Sequence, residues 1–100
     1  MLRHVVLIRF KPDTAPATIR DIEAALTALP AKIAAIQALE WGTDCSTENK
    51  AQGFSHCFFL TFADAAGRDT YLPHPHHQAF SALLRPNVDQ VLVIDYVPAP

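Results

Sequence analysis

Apolar and polar side chains alternate from Leu2 to Lys11, with Leu2, His4, Val6, Ile8 and Phe10 on one side and Arg3, Val5, Leu7 and Arg9 on the other. A period of two predicts a strand, and Lys11-Pro12-Asp13-Thr14 breaks it. The period then changes. Ile19, Ile22, Leu26 and Leu29 recur at steps of three and four, which predicts a helix from about Ala15 to Leu29, with Pro16 in its first turn and Pro30 ending it. Ala31 to Leu39 fits helix or strand and is read as a short turn, followed by a strand over about Ile36 to Thr43. The polar stretch Asp44 to Gly53 is a surface loop. Phe54 to Phe62 gives the strongest strand signal, with Phe54, His56, Phe58, Leu60 and Phe62 on one face. Asp64 can cap a short helix running to about Tyr71, and Pro75 opens a second that reaches Leu84. Arg85-Pro86-Asn87 stops it, and Val88 to Val97 forms the last strand.

Strand, helix, strand, strand, split helix, strand is the ferredoxin-like βαββαβ order of an α+β fold. It predicts a four-stranded antiparallel sheet with helices on one face, in a single domain spanning about residues 2–97. Val5, Leu7, Phe59, Val91 and Val93 are expected on the other face, which is then too apolar for open water. A second copy packed sheet to sheet, a homodimer, is the expected remedy. In 100 residues with 50% hydrophobic content the 8 Lys and Arg are scattered and the net charge is −2. That balance gives no footprint for nucleic acid or for a membrane surface. The longest apolar runs, Val5 to Ile8 and Cys57 to Leu60, are too short to cross a bilayer. The opening Met1-Leu2-Arg3-His4 has no signal-peptide pattern, so a cytoplasmic location is expected. Cys45 and Cys57 have no metal-type spacing; Cys45 reads as a loop thiol and Cys57 as a buried, inert one.

The chemistry concentrates in Tyr71-Leu72-Pro73-His74-Pro75-His76-His77-Gln78-Ala79-Phe80, which holds three of the 5 histidines at a helix start. The positive end of a helix dipole favours neutral imidazole, which can accept a proton or polarise a carbonyl. Adjacent residues on a helix diverge by about 100°, so His76 and His77 do not converge on one ion, and no metal site is expected. Periodicity does not separate His76 from His77 as the inward-facing residue. On the strands, His4 and His56 share their faces with core residues and are expected under the helices, as core histidines or as markers of a cavity.

Several segments together resemble the stress-responsive dimeric α/β-barrel family, often abbreviated Dabb. They are His4-Val5-Val6-Leu7-Ile8-Arg9-Phe10-Lys11, Trp41-Gly42, Ser55-His56-Cys57, Leu60-Thr61-Phe62, Tyr71 with His74-Pro75 and His77 before Phe80, and Ile94-Asp95-Tyr96. The resemblance covers about Leu2 to Val97 and implies a homodimer whose two sheets form a barrel, with a small cavity between helices and sheet in each subunit. A plant branch of that family is similar to polyketide cyclases that work without metal or organic cofactor. By that resemblance the site positions are His4, His56, Tyr71, His74 and His77, with His77 the base and Tyr71 holding the substrate. His76 departs from the branch, where a smaller residue is usual.

These readings combine into a homodimer that binds a small, mostly apolar ligand, such as a phenolic or keto acid, in a histidine-lined cavity. Any chemistry there is expected to be cofactor-free proton transfer beside a carbonyl, of cyclase, isomerase or lyase type. In it His77 and Tyr71 act on the substrate while His4, His56 and His74 bind it. One alternative is a non-catalytic stress-associated or carrier protein. Another is a cofactor-free monooxygenase of the kind found among related dimeric barrels.

Overall fold

The computed structural model describes residues 1–100. Strand β1 (Leu2–Phe10) leads to helix α1 (Pro16–Lys32), then strands β2 (Ala38–Thr43) and β3 (His56–Phe62). Helices α2 (Ala65–Tyr71) and α3 (Pro75–Leu84) follow, and a single 3-10 turn (Arg85–Asn87) leads into strand β4 (Val88–Tyr96). The strands pair antiparallel in the order β2-β3-β1-β4, the ferredoxin-like arrangement. No helix is long and apolar enough to cross a membrane.

The alternation of β1 and β3 turns Leu2, Ile8, Phe58, Leu60 and Phe62 toward the helices, where Ile22, Leu26 and Leu29 of α1 and Phe80 of α3 close over them. Register decides what else meets there. His4 pairs with Leu60 of β3 on one side and Asp95 of β4 on the other, whereas Ile8 pairs with His56. The two strand histidines thus share a face but stand four residues apart along it, about 13 Å at strand rise.

Pro30 does not end α1, contrary to the sequence pattern; the helix runs on to Lys32 with Pro30 inside it. Proline withholds only its own N–H, and the Ile33 amide closes the last turn on the Leu29 carbonyl at 2.9 Å. Ile33 and Ile36 then bury themselves beneath the helix, so β2 begins at Ala38 rather than at Ile36. At the other end of the chain β4 stops at Tyr96, and β3 starts at His56, two residues after Phe54.

The expected composition of the open sheet face needs a correction. Val91 and Val93 pair with Ile8 and Val6 and so lie on the helix side; Leu92 and Ile94 pair with Leu7 and Val5 and lie on the open face. Val91-Leu92-Val93-Ile94 is apolar at both parities, so the pattern alone could not choose, and the pairing of Asp95 with His4 does. The open face therefore carries Val5, Leu7, Phe59, Leu92 and Ile94, with Leu92 44% and Ile94 56% exposed. Cys57 also lies there, half-buried rather than buried, its thiol pushed up by burial and then by Glu40. Cys45 is exposed.

The loop before β3 is seated on Arg9, whose guanidinium donates to the Gln52 carbonyl at 3.1 Å. Gly53 sits at φ 81° and a Cβ there would come within 2.8 Å of the Arg9 side chain, so any other residue is strained and displaces Arg9. Because α1 leaves the Leu26 carbonyl without the amide that Pro30 lacks, Pro30→Ala is expected to stabilise the fold by about 1 kcal/mol. Chemical denaturation measures this, and a lower midpoint in the variant would contradict it.

Candidate functional site

The junction between α2 and α3 is built from two helix ends that must satisfy their own backbone groups. Asp64 caps α2, accepting from the Gly67 amide at 3.0 Å as its sequence suggested. At the far end of α2 the Tyr71 carbonyl accepts from the His74 amide at 3.1 Å. The next carbonyl, Leu72, has no amide four residues on to bond it, because the His76 amide donates instead to the His74 ring at 3.1 Å. Two side chains from the first turn of α3 fill the gap: His77 through Nδ1 at 2.8 Å and Gln78 through Nε2 at 3.1 Å. Pro75 occupies the first turn of α3, where its missing N–H costs nothing.

This arrangement sets the chemistry of His77. A carbonyl oxygen only accepts, so Nδ1 carries the proton, and in the neutral ring Nε2 holds a free lone pair. Burial, together with the nearby His4 and Arg85, holds the imidazole below its ordinary value near 6.5, against the opposing pull of the Leu72 carbonyl. The ring lies 4.3 Å, centroid to centroid, from Tyr71. Tyr71 is 3% exposed, and burial pushes its phenol well up, so it remains a proton carrier at neutral pH. No protein group bonds the Tyr71 hydroxyl, yet no buried side-chain oxygen is without a partner, so this oxygen opens onto free volume.

His4 approaches from the sheet. Its ring is 5.9 Å from that of Tyr71, and its Nδ1 lies 2.6 Å from Asp95 Oδ1. The carboxylate fixes the ring as Arg68 fixes the carboxylate, donating to Asp95 Oδ2 at 3.3 Å. His4 and His77 thus have one ring nitrogen engaged by a fixed acceptor, and the other is left over. Both residues and Tyr71 line one cavity of about 390 Å³. The rest of its wall is mainly apolar, from Val6, Phe58 and Leu60 of β1 and β3, Phe80 and Leu84 of α3, and Val88, Val91 and Val93 of β4.

The structure brings His4, Tyr71 and His77 together and leaves the other candidates elsewhere. His74 does not line the cavity; its ring caps α3. His56 does not line it either. Its Nε2–H donates to Glu23 at 2.8 Å, its Nδ1 shares a hydrogen bond with Ser55 at 2.8 Å, and its ring stacks on Trp41. That is a fully partnered core histidine. His76 is exposed, so it is His77 that faces inward. The sequence pattern marked Asp95 only within the Ile94-Asp95-Tyr96 segment and gave it no role at the site. Its signal was parity: Asp95 is the acidic member of the Val91, Val93, Asp95 series and directly follows the apolar run Val91 to Ile94.

Residues 2–98 match the Stress responsive A/B Barrel Domain family. The chain is 36% identical over 97 residues to the stress-response A/B barrel domain-containing protein HS1 of Arabidopsis thaliana, covering 97% of this chain and 89% of that protein. It is 27% identical to olivetolic acid cyclase of Cannabis sativa, covering 97% and 96% of the two chains. Among solved structures, hydroxynitrile lyase from Passiflora edulis superposes with a TM-score of 0.92 at 26% identity, covering 98% and 93%. A dimeric ferredoxin-like protein of unknown function from Jannaschia sp. CCS1 superposes with a TM-score of 0.85 at 27% identity, covering 97% and 98%.

A depressed His77 has a stability consequence with a definite sign. Between the folded value and 6.5 the unfolded chain binds more protons at His77 than the folded one does. Stability therefore rises with pH through that window and is fully present above it. An NMR titration is expected to place the His77 midpoint below 6.5, and His77→Gln is expected to flatten the acid limb of a stability–pH curve. A His77 midpoint at or above 6.5 would contradict the account.

Proposed function

The chain belongs to the Stress responsive A/B Barrel Domain family, and on that footing we propose that it binds a small, mostly apolar carbonyl compound and moves a proton beside the carbonyl without a cofactor. His77 Nε2 takes the proton, and the Tyr71 hydroxyl donates to the carbonyl oxygen as negative charge develops there. His4, held by Asp95 through Nδ1, presents its second nitrogen to the same volume as an acceptor for a ligand hydroxyl. The observation that carries this reading is the pair of Nδ1 atoms engaged by Leu72 and Asp95, which leaves two ring nitrogens and a phenol facing one apolar hollow. Low surrounding polarity keeps His77 neutral and therefore basic near pH 7. A cyclase and a lyase among the similar proteins agree with chemistry at carbon next to a polarised group. His56 and His74 are given structural work in this reading, the first in the core and the second at the α3 cap.

The working unit is a homodimer joined through the open sheet face. Val5, Leu7, Phe59, Leu92 and Ile94 form a continuous apolar surface there that water disfavours. That the similar Jannaschia protein is dimeric supports a dimer, and the apolar sheet face is the surface proposed for it.

Two outcomes follow. With small aryl ketones and β-keto acids in D2O, the protein is expected to exchange the hydrogens next to the carbonyl, followed by NMR. His77→Ala is expected to slow that exchange by about 10²-fold or more, and Tyr71→Phe by less, with unchanged circular dichroism. Exchange that survives His77→Ala at the parent rate would refute the base. Separately, the double change Leu92→Lys and Ile94→Lys is expected to yield monomers by analytical ultracentrifugation. A dimer that persists would place the interface elsewhere.

A further inference from the structure

The charges around the cavity do not balance locally. One carboxylate and one guanidinium line it, those of Asp95 and of the solvent-exposed Arg85. Asp95 is answered by His4 at 2.6 Å and by Arg68 at 3.3 Å. Arg85 takes part in no ion pair of the chain. Its one side-chain bond runs from Nε to the neutral Ser81 Oγ at 3.1 Å, and Ser81 lines the same cavity. A guanidinium held by one edge keeps its two terminal NH2 groups as donors, in the planar fork that suits a carboxylate.

We propose that Arg85, steadied by Ser81, makes this cavity selective for ligands that carry a carboxylate. The proposal rests on the cavity being the ligand site. The carboxylate pairs with Arg85, the apolar body lies against Phe58, Phe80, Leu84 and Val88, and the reacting carbonyl reaches His77 and Tyr71. Nearby positive charge from Arg85 also disfavours protonated His77, so an anionic ligand there brings the base and its substrate into one charge-balanced site. The bland alternative is that Arg85 only complements the C-terminal end of the α3 dipole. That role would affect helix stability and leave ligand preference alone.

Matched probes separate the two. Binding of 4-butylbenzoate and of its uncharged isostere 4-butylbenzamide is measured by calorimetry at neutral pH and low salt. The benzoate is expected to bind about tenfold more tightly, the scale of a charge-assisted hydrogen-bonded pair. Arg85→Gln is expected to abolish that preference by weakening the benzoate far more than the amide, while Arg85→Lys keeps part of it. Ser81→Ala retains the charge but frees the guanidinium, and is expected to reduce the preference; it also serves if the Arg85 variants fold poorly. Equal binding of both probes to the parent protein, or an unchanged preference in Arg85→Gln, overturns the proposal and leaves the cavity reading standing. Failure of both probes to bind at all removes the cavity reading and the proposal with it.

Discussion

The hydrogen bond from His77 Nδ1 to the Leu72 carbonyl governs the rest of the site. It exists because the break between α2 and α3 orphans a carbonyl, and an orphaned helix-end carbonyl takes a side-chain donor that lies within reach. The amide that would otherwise have served Leu72, that of His76, is captured by the His74 ring. His77 is then drawn back over the junction, its tautomer is fixed, and its remaining nitrogen is the one with no protein partner. A backbone requirement of the chain has thus oriented the imidazole on which the proposed chemistry rests.

The sheet supplies the complementary half. Helices α1, α2 and α3 lie mainly over β2, β3 and β1, and β4 is exposed along almost its whole length. The hollow opens under that uncovered flank, where Val91 and Val93 make its wall and Asp95 reaches back to His4. The chain of contacts from Asp69 through Arg68 and Asp95 to His4 ties α2 to both β1 and β4. It fixes the spacing between the strand histidine and the helix histidine, with the Tyr71 ring between them at 5.9 Å from one and 4.3 Å from the other.

Much of the fold was legible because its periodicities were clean. The even positions of β1 and β3 announced their inward faces, Asp64 announced a cap, and Pro75 announced the start of α3. Where a signal served both readings, reasoning from pattern failed. Val91 through Ile94 is apolar at every position, so the face of β4 had to come from cross-strand register. Pro30 looked like a stop, but the pull of Ile33 and Ile36 into the core carried the helix past it. Within the candidate site, Tyr71 and His77 stood out by position and family resemblance. His56 looked equivalent to His4, and only Glu23, thirty-three residues away in sequence, marks it as a partnered core residue. Arg85 carried no signal at all, because a cation at a helix end is ordinary until its neighbours are known to lack a counter-charge.

Which nitrogen of His77 is bare decides whether the cavity holds a base, and neutron diffraction from deuterium-exchanged crystals at neutral pD reads that directly. The expected nuclear density shows deuterium on Nδ1, directed at the Leu72 oxygen, none on Nε2, and a deuterated Tyr71 hydroxyl facing open volume. Deuterium on Nε2 of His77, with or without a second on Nδ1, would mean that the ring offers the cavity a donor and not a base, and the account would be wrong.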